Sequence, residues 1–266
     1  MKIDKLATKI IIAGLVGGLT ALYIKDQNSN LKISNVKINS NKLKGRIKIL
    51  QLTDFHSNSS VLPALDIKLR ELDPDIIVMT GDIAEKKLEP VERLIEIIKR
   101  FDVPVFAILG NHEEKGKNKE EYKEILIKND IELLDNNSVK LDIRGDIINI
   151  IGLNHYYPRI NSNDGILAED FNLILSHAPN TPLALLTEDM DLVLSGHTHG
   201  GQFRFPLIGA VYVPGQIPIP KYIKGVYEYE TGTLIYVDSG LGNSRLPIRA
   251  LNRVQVSMIV IENLHQ

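Results

Sequence analysis

Eight short apolar runs punctuate this chain, and the polar residues behind them limit its fold more than the runs themselves do. The runs cover residues 47–52, 76–79, 105–109, 147–153, 173–175, 192–194, 234–237 and 254–261. Each has strand length and is rich in Ile and Val, the pattern of buried strands. Directly after five of them stand Thr53-Asp54-Phe55-His56, Thr80-Gly81-Asp82, Gly110-Asn111-His112-Glu113, Ser176-His177 and Ser195-Gly196-His197-Thr198-His199. Five of the seven histidines therefore fall at strand ends. In open α/β sheets the carboxyl ends of the strands are where ligands bind.

Helical stripes separate the early runs. Val91, Leu94, Ile95, Ile98 and Phe101 keep the i, i+3, i+4, i+7 spacing, and Pro90 suits a first helical turn. Leu65, Leu69 and Leu72 form a second stripe, ended by Pro74; Tyr122, Ile125 and Leu126 mark a third. The second half reads as strands and turns. The expectation is an α/β chain: two mixed sheets packed together with helices outside, a four-layer α-β-β-α sandwich. At 266 residues and 44% hydrophobic, one such unit is within reach.

The N-terminus does not read as part of that unit. Residues 10–24 carry no charge, and Lys9 and Lys25 bracket them. Fifteen residues are short of the roughly 20 that span a bilayer, although flanking lysines can snorkel. A cleaved signal, an uncleaved anchor and a helix packed on the domain all compete. No small-x-small cleavage site comes after the run, where Ala21, Leu22 and Tyr23 stand. The expectation is a signal-anchor helix over 1–27, a polar linker over 26–30 and a catalytic domain over 28–266. Lysines lie on both sides of the run, so the positive-inside rule discriminates weakly. The domain is expected at the cell membrane, on its outer face.

Composition removes several alternatives. The formal charge of -2 lacks the basic excess of a nucleic-acid binder. The absence of cysteine excludes thiolate metal sites, Cys nucleophiles and disulfides.

Singly, each polar block has an ordinary explanation. Asp-x-His is usually a turn or a helix cap, and Gly-Asp or Asn-His sits easily in a loop. His-x-His says more, because in an extended segment both rings project from one side. Together the blocks make an ordered set of oxygen and imidazole donors. Two cations about 3.5–4 Å apart need a shared anionic ligand, and Asp82 is the natural bridge. Without sulfur the set suits Mn²⁺, Fe²⁺ or Zn²⁺, and its imidazoles argue against Mg²⁺ or Ca²⁺ alone. Such a pair activates a water and clamps phosphoryl oxygens.

In type and order, Asp54-x-His56, Gly81-Asp82, Gly110-Asn111-His112-Glu113, His177 and Gly196-His197-Thr198-His199 resemble the five blocks of the calcineurin-like metallophosphoesterases. Gly200-Gly201-Gln202, Val237-Asp238-Ser239-Gly240-Leu241-Gly242 and Leu246-Pro247-Ile248-Arg249 resemble a membrane-associated bacterial branch of YkuE-like and YaeI-like phosphoesterases. That branch is related to hydrolases of UDP-2,3-diacylglucosamine. The resemblance implies one cation on Asp54, His56, Asp82 and His199, and a second on Asp82, Asn111, His177 and His197. It also implies that His112 faces the scissile phosphate, as a charge stabiliser or as the acid for the leaving oxygen. Asp82 and His112 are then the catalytic pair. Glu114-Lys115-Gly116 departs from relatives that often carry an aromatic residue there.

His155, Asn243, Arg245 and Arg249 are weaker candidates for substrate contacts. His155 comes after a strand, and Gly240-Leu241-Gly242-Asn243 could form a nest of N–H groups. Residues 203–220 are rich in Pro, Ile and Phe, suited to core packing or to holding an acyl chain. The expected function is hydrolysis of a phosphodiester, phosphomonoester or pyrophosphate, with a lipid-linked or envelope substrate in view. The rivals are a metal-dependent amide or ester hydrolase and a non-catalytic envelope-binding protein that keeps a metal site.

Overall fold

The computed structural model describes residues 5–161, 163–205, 209–210, 221–243 and 248–263. Helix α1 (Lys5–Ser29) leads into β1 (Lys32–Asn39) and β2 (Arg46–Leu52). Next come α2 (Leu62–Lys68), β3 (Ile76–Thr80), α3 (Glu89–Ile98) and β4 (Val105–Ile108). Then α4 (Asn111–Lys115) and α5 (Lys119–Lys128) precede a short β5 (Glu132–Leu133). The next strands are β6 (Asn137–Ile143), β7 (Asp146–Gly152), β8 (Phe171–Leu175) and β9 (Leu192–Ser195). A small pair, β10 (Arg204–Phe205) and β11 (Gly209–Ala210), precedes β12 (Gly225–Glu228), β13 (Leu234–Val237) and β14 (Gln255–Glu262).

The larger strands form two six-stranded mixed sheets, as expected. The first runs β1-β14-β2-β3-β4-β5 and the second β12-β13-β9-β8-β7-β6. In each, the strands that lead to the candidate residues are parallel neighbours: β2, β3 and β4 in one, β8 and β9 in the other. Their carboxyl ends therefore open at one end of the sandwich.

Strand alternation sorts the core. Ile47, Ile49, Ile76 and Val78 face Leu173, Leu175, Leu192 and Leu194 between the sheets. Leu50, Leu52, Ile77 and Met79 pack outward on Leu65, Leu94, Ile98 and Leu126 of α2, α3 and α5. Burying each such side chain contributes about 1.5–3 kcal/mol. The outer face of the second sheet, with Ile151, Ile174, Val193 and Ile235, is covered by Leu186, Met190 and Tyr222. Among the described residues that cover is loop and the 3₁₀ turn Leu183–Leu185, without α-helix. Residues 153–191 lack a helical period and carry Pro158, Pro179 and Pro182.

All eight apolar runs lie in or overlap strands. Four strands of the two large sheets had no such run: β1, β5, β6 and β12. These are the edges of those sheets. An edge strand shields less of its surface, so it needs fewer apolar residues and leaves a weak sequence signal.

The expected polar linker is a correction. Helix α1 continues to Ser29, and Gln27 within it is only 6% exposed. Asp26, Gln27 and Asn28 are polar because they dock by hydrogen bonds. The apolar part stays clear of the body, with Ile10, Leu15, Leu19 and Leu22 each more than 60% exposed.

Candidate metal centre

The ends of β2, β3, β4, β8 and β9 bring all seven expected ligands into one cluster at the mouth between the sheets. A sharp backbone turn does this. Asp54, His56, Asp82, His197 and His199 all have left-handed φ, between 47° and 67°. Side-chain-bearing residues rarely sit there, and each costs of order 1 kcal/mol or more. The turn reverses the chain at the strand end and points the side chain inward. The extended His-x-His geometry is therefore corrected: both histidines are left-handed, and their rings join different groups. His197 stands with Asp82 and His177, and His199 with Asp54 and His56. Gly81, at φ +85°, completes the β3 turn, where an added Cβ would stand 2.6 Å from Gly110 N.

Asp82 is the hub. Its Oδ2 lies 3.2 Å from His177 Nε2, 3.7 Å from His56 Nε2 and 4.0 Å from His112 Nε2. Its Oδ1 accepts the His112 N–H at 2.9 Å. Asn111 Oδ1 is 3.2 Å from His177 Nε2, which is 3.1 Å from His197 Nδ1. On the other side His199 Nε2 is 3.9 Å from Asp54 Oδ1, and its ring stacks on His56 at 5.0 Å. His177 Nδ1 donates to the Thr80 carbonyl at 2.9 Å, which leaves Nε2 as the nitrogen that faces the cluster.

Two carboxylates that the sequence alone did not single out brace this geometry. Glu113 is buried and accepts three backbone N–H groups: Asp82 and Gly110 at 2.9 Å, and Ala84 at 2.8 Å. Its signal was available, since an acid three residues after Gly110 is a capping pattern. Glu85 lies 3.5 Å from His56 Nδ1 and 3.9 Å from His112 Nδ1. No spacing rule picks it out.

Burial and charge set the proton affinities. Burial opposes a charge on His177, but Asp82, Asp54 and the Thr80 carbonyl outweigh it and raise the imidazole to about 9. Burial pushes Asp54 up to about 6, and burial with the nearby Asp82 takes Glu113 to about 7. Burial and the His177 charge lower His197 to about 3. His112 is also lowered, first by burial, although its side chain is 32% exposed. It stands at the mouth while most ligands lie below.

The weaker candidates divide. His155 reaches the cluster edge, its ring 5.3 Å from His177 and 5.8 Å from His197, and burial lowers it to about 4. Arg249 does not reach a substrate. It is fully buried and donates to the carbonyls of Ser239 and Gly242 and to Asn243 Oδ1. Asn243 in turn donates to Asn28 Oδ1 at 2.8 Å. Both hold the turn after β13, whose Gly240 packs against Asp54. Arg245 lies outside the described residues, as does most of 203–220.

The cluster fits divalent cations by its own polar accounting. His56 Nε2 and His199 Nδ1 are buried with no hydrogen-bond partner, a costly state for an imidazole nitrogen without a ligand. The candidate ligands are carboxylate and amide oxygens and imidazole nitrogens, and Arg249, whose charge is felt at His199, is engaged by the carbonyls of Ser239 and Gly242.

The calcineurin-like phosphoesterase profile matches residues 47–201, which include every block of this cluster. The uncharacterized metallophosphoesterase YkuE of Bacillus subtilis is 30% identical over 231 residues, 81% of this chain and 79% of its own. YkoQ of the same organism is 28% identical over 251 residues, covering 89% of this chain and 93% of that protein. A transmembrane protein with metallophosphoesterase domain from Danio rerio is 24% identical over 278 residues, 95% of this chain and 62% of its own. Cluster, profile and relatives agree, and the chain belongs to the calcineurin-like metallophosphoesterases, hydrolases of phosphoester bonds that work with divalent metal ions.

Proposed function

We infer that this hydrolase holds two cations on a shared Asp82 and is anchored in a membrane by its first 27 residues, with residues 28–266 as the catalytic domain. The observation that carries the reading is Asp82 Oδ2, which faces three imidazole Nε2 atoms within 4.0 Å. One cation takes Asp54, His56, Asp82 and His199; the other takes Asp82, Asn111, His177 and His197. The donor set suits Mn²⁺, Fe²⁺ or Zn²⁺. When bound, the cations supply an activated water and neutralise phosphoryl charge.

The chain's own groups do the rest. The Asp82 carboxylate divides its charge between the two halves of the cluster while Glu113 holds its backbone. His112, half-open at the mouth, meets the reacting phosphoryl group. Its lowered proton affinity keeps the imidazole neutral at neutral pH, so it acts as an N–H donor to developing charge more than as a full acid. Its Nε2 is the nitrogen on the Asp82 side, 4.0 Å from Oδ2, so the neutral form that donates into the cluster carries its proton on Nε2, while Glu85 stands 3.9 Å from Nδ1.

The substrate in this reading is a lipid-linked or envelope phosphoester or pyrophosphate, with UDP-2,3-diacylglucosamine as the type, met at the outer face of the cell membrane. The exposed apolar stretch of α1 supports it, because it is long and apolar enough with its flanks, Thr8–Ser29, to cross a membrane. Full-length protein loaded with Mn²⁺ should hydrolyse bis-p-nitrophenyl phosphate and leave a p-nitrophenyl carboxylic ester intact. It should also prefer a lipid pyrophosphate in mixed micelles to the soluble diester. Turnover that survives complete chelation would defeat the metal reading, and a preference for the soluble diester would defeat the lipid one.

A further inference from the structure

Helix α1 ends on the body of the protein, not in solvent. Its last turns present Tyr23, Asp26 and Gln27 on one face to residues 251–254, which lead into β14. The Tyr23 hydroxyl accepts the Leu251 N–H at 2.8 Å, and Gln27 Oε1 accepts the Asn252 N–H at 3.0 Å. The Gln27 carbonyl accepts the Val254 N–H at 3.0 Å, and Asp26 pairs with Arg253 at 2.7 Å. Four successive residues thus take a partner from the helix.

One of them points onward to the metal centre. The Asn252 side chain is 2% exposed, and its Nδ2 donates to the carbonyl of His199 at 2.6 Å. Its Oδ1 accepts from Lys224 Nζ at 3.0 Å, which fixes the amide's orientation. His199 needs such a hold, because its left-handed φ of 50° is a conformation the residue would not keep unaided.

We propose that the docked end of α1 is part of the frame of the metal centre, with Gln27 and Asn252 as positioning residues that set His199. A change at Gln27 is then felt, through Asn252, as a change in cation affinity at one of two sites. This rests on the assignment of His199 as a ligand, so the experiment tests that assignment separately.

The full-length chain in detergent micelles is titrated with Mn²⁺ by equilibrium dialysis, and its thermal unfolding is tracked in chelator. His199→Ala should lose one of two Mn²⁺ sites; if both remain, the ligand assignment itself is wrong. Asn252→Ala, which keeps the backbone bond to Gln27, should weaken that same site about 10-fold, the scale of a lost partner behind a ligand. Gln27→Met keeps shape and removes the acceptor, and should weaken it about 3- to 10-fold, with Gln27→Glu restoring affinity. Tyr23→Phe removes a docking bond outside this route and should lower the unfolding temperature with Mn²⁺ affinity unchanged. Loss of a site in His199→Ala with unchanged affinity in Asn252→Ala overturns the proposal. So does a Tyr23→Phe variant that weakens Mn²⁺ as much as Gln27→Met does.

Discussion

The two sheets contribute unequal halves to the proposed metal centre. The first supplies every oxygen donor, Asp54, Asp82 and Asn111, along with His56 and His112. The second supplies imidazoles alone: His177, His197 and His199. Their bracing differs as well. The loops of the first sheet are tied to one another by Glu113, whose three accepted N–H groups all come from the ends of β3 and β4. The loops of the second sheet lean on the first. His177 donates to Thr80 O, the His197 N–H donates to the Asp54 carboxylate at 2.9 Å, and Gln51 of β2 donates to Ser195 O at 3.0 Å. The first half thus has a carboxylate brace of its own, and these bonds tie the second half to it. Charge divides the same way: carboxylates on one side, and on the other an imidazole that those carboxylates raise to about 9.

The most damaging change removes the group both halves share. Asp82→Ala should release both cations and cut turnover on the order of 10⁴-fold or more, as when a member of a unit catalytic set is lost. Metal analysis beside single-turnover kinetics checks it; a variant that keeps both cations would mean Asp82 is no bridge.

His112→Ala probes a first-sheet residue assigned to no cation. Turnover should fall on the order of 10²–10⁴-fold with both metals retained. Because the imidazole is held neutral, the loss should be similar for p-nitrophenolate and for alkoxide leaving groups. A much larger loss with the alkoxide would restore the acid role.

Proton competition tests the contrast in charge. A cation needs neutral imidazole, and His177 holds its proton up to about 9 in the metal-free protein. Lowering the pH favours the proton, so affinity at the second-sheet site should climb between pH 7 and 9, about tenfold per pH unit. Titration with Mn²⁺ at fixed ionic strength measures the slope. A flat response would remove His177 from the ligand set.

The smallest effects separate the brace within the first sheet from the ties between the sheets. Glu113→Ala orphans three backbone donors and should cost about 1–3 kcal/mol of stability, loosening both cations through Asp82. Gln51→Leu removes a tie between the sheets and should cost about 1 kcal/mol, with weakening confined to the cation on His177 and His197. Denaturant unfolding and Mn²⁺ titration on the same samples read both. Equal weakening of the two cations by Gln51→Leu would erase the asymmetry.

Much of this is legible in the amino-acid order. Buried parallel strands must be apolar on both faces, so 76–79 and 192–194 announce themselves, and the donors behind them form a recognisable set. Edge strands stay silent because water takes part of their surface. The tail of α1 reads as a linker because docking by hydrogen bonds uses the same Asp, Gln and Asn that solvent would. Arg249 reads as a phosphate partner because a guanidinium suits an anion; only packing shows that carbonyl oxygens surround it.

Which chemistry the chain carries was a matter of local pattern: the donor types, their order and their places after strands all come from strand period and ligand chemistry. How those donors divide was settled by packing in three dimensions. Left-handed turns send His197 and His199 to different groups, Glu85 arrives from a position no spacing rule selects, and Asn252 reaches His199 across 53 residues. Distances between groups far apart in the chain depend on how two sheets and one helix settle against each other, and that is a property of the packed core.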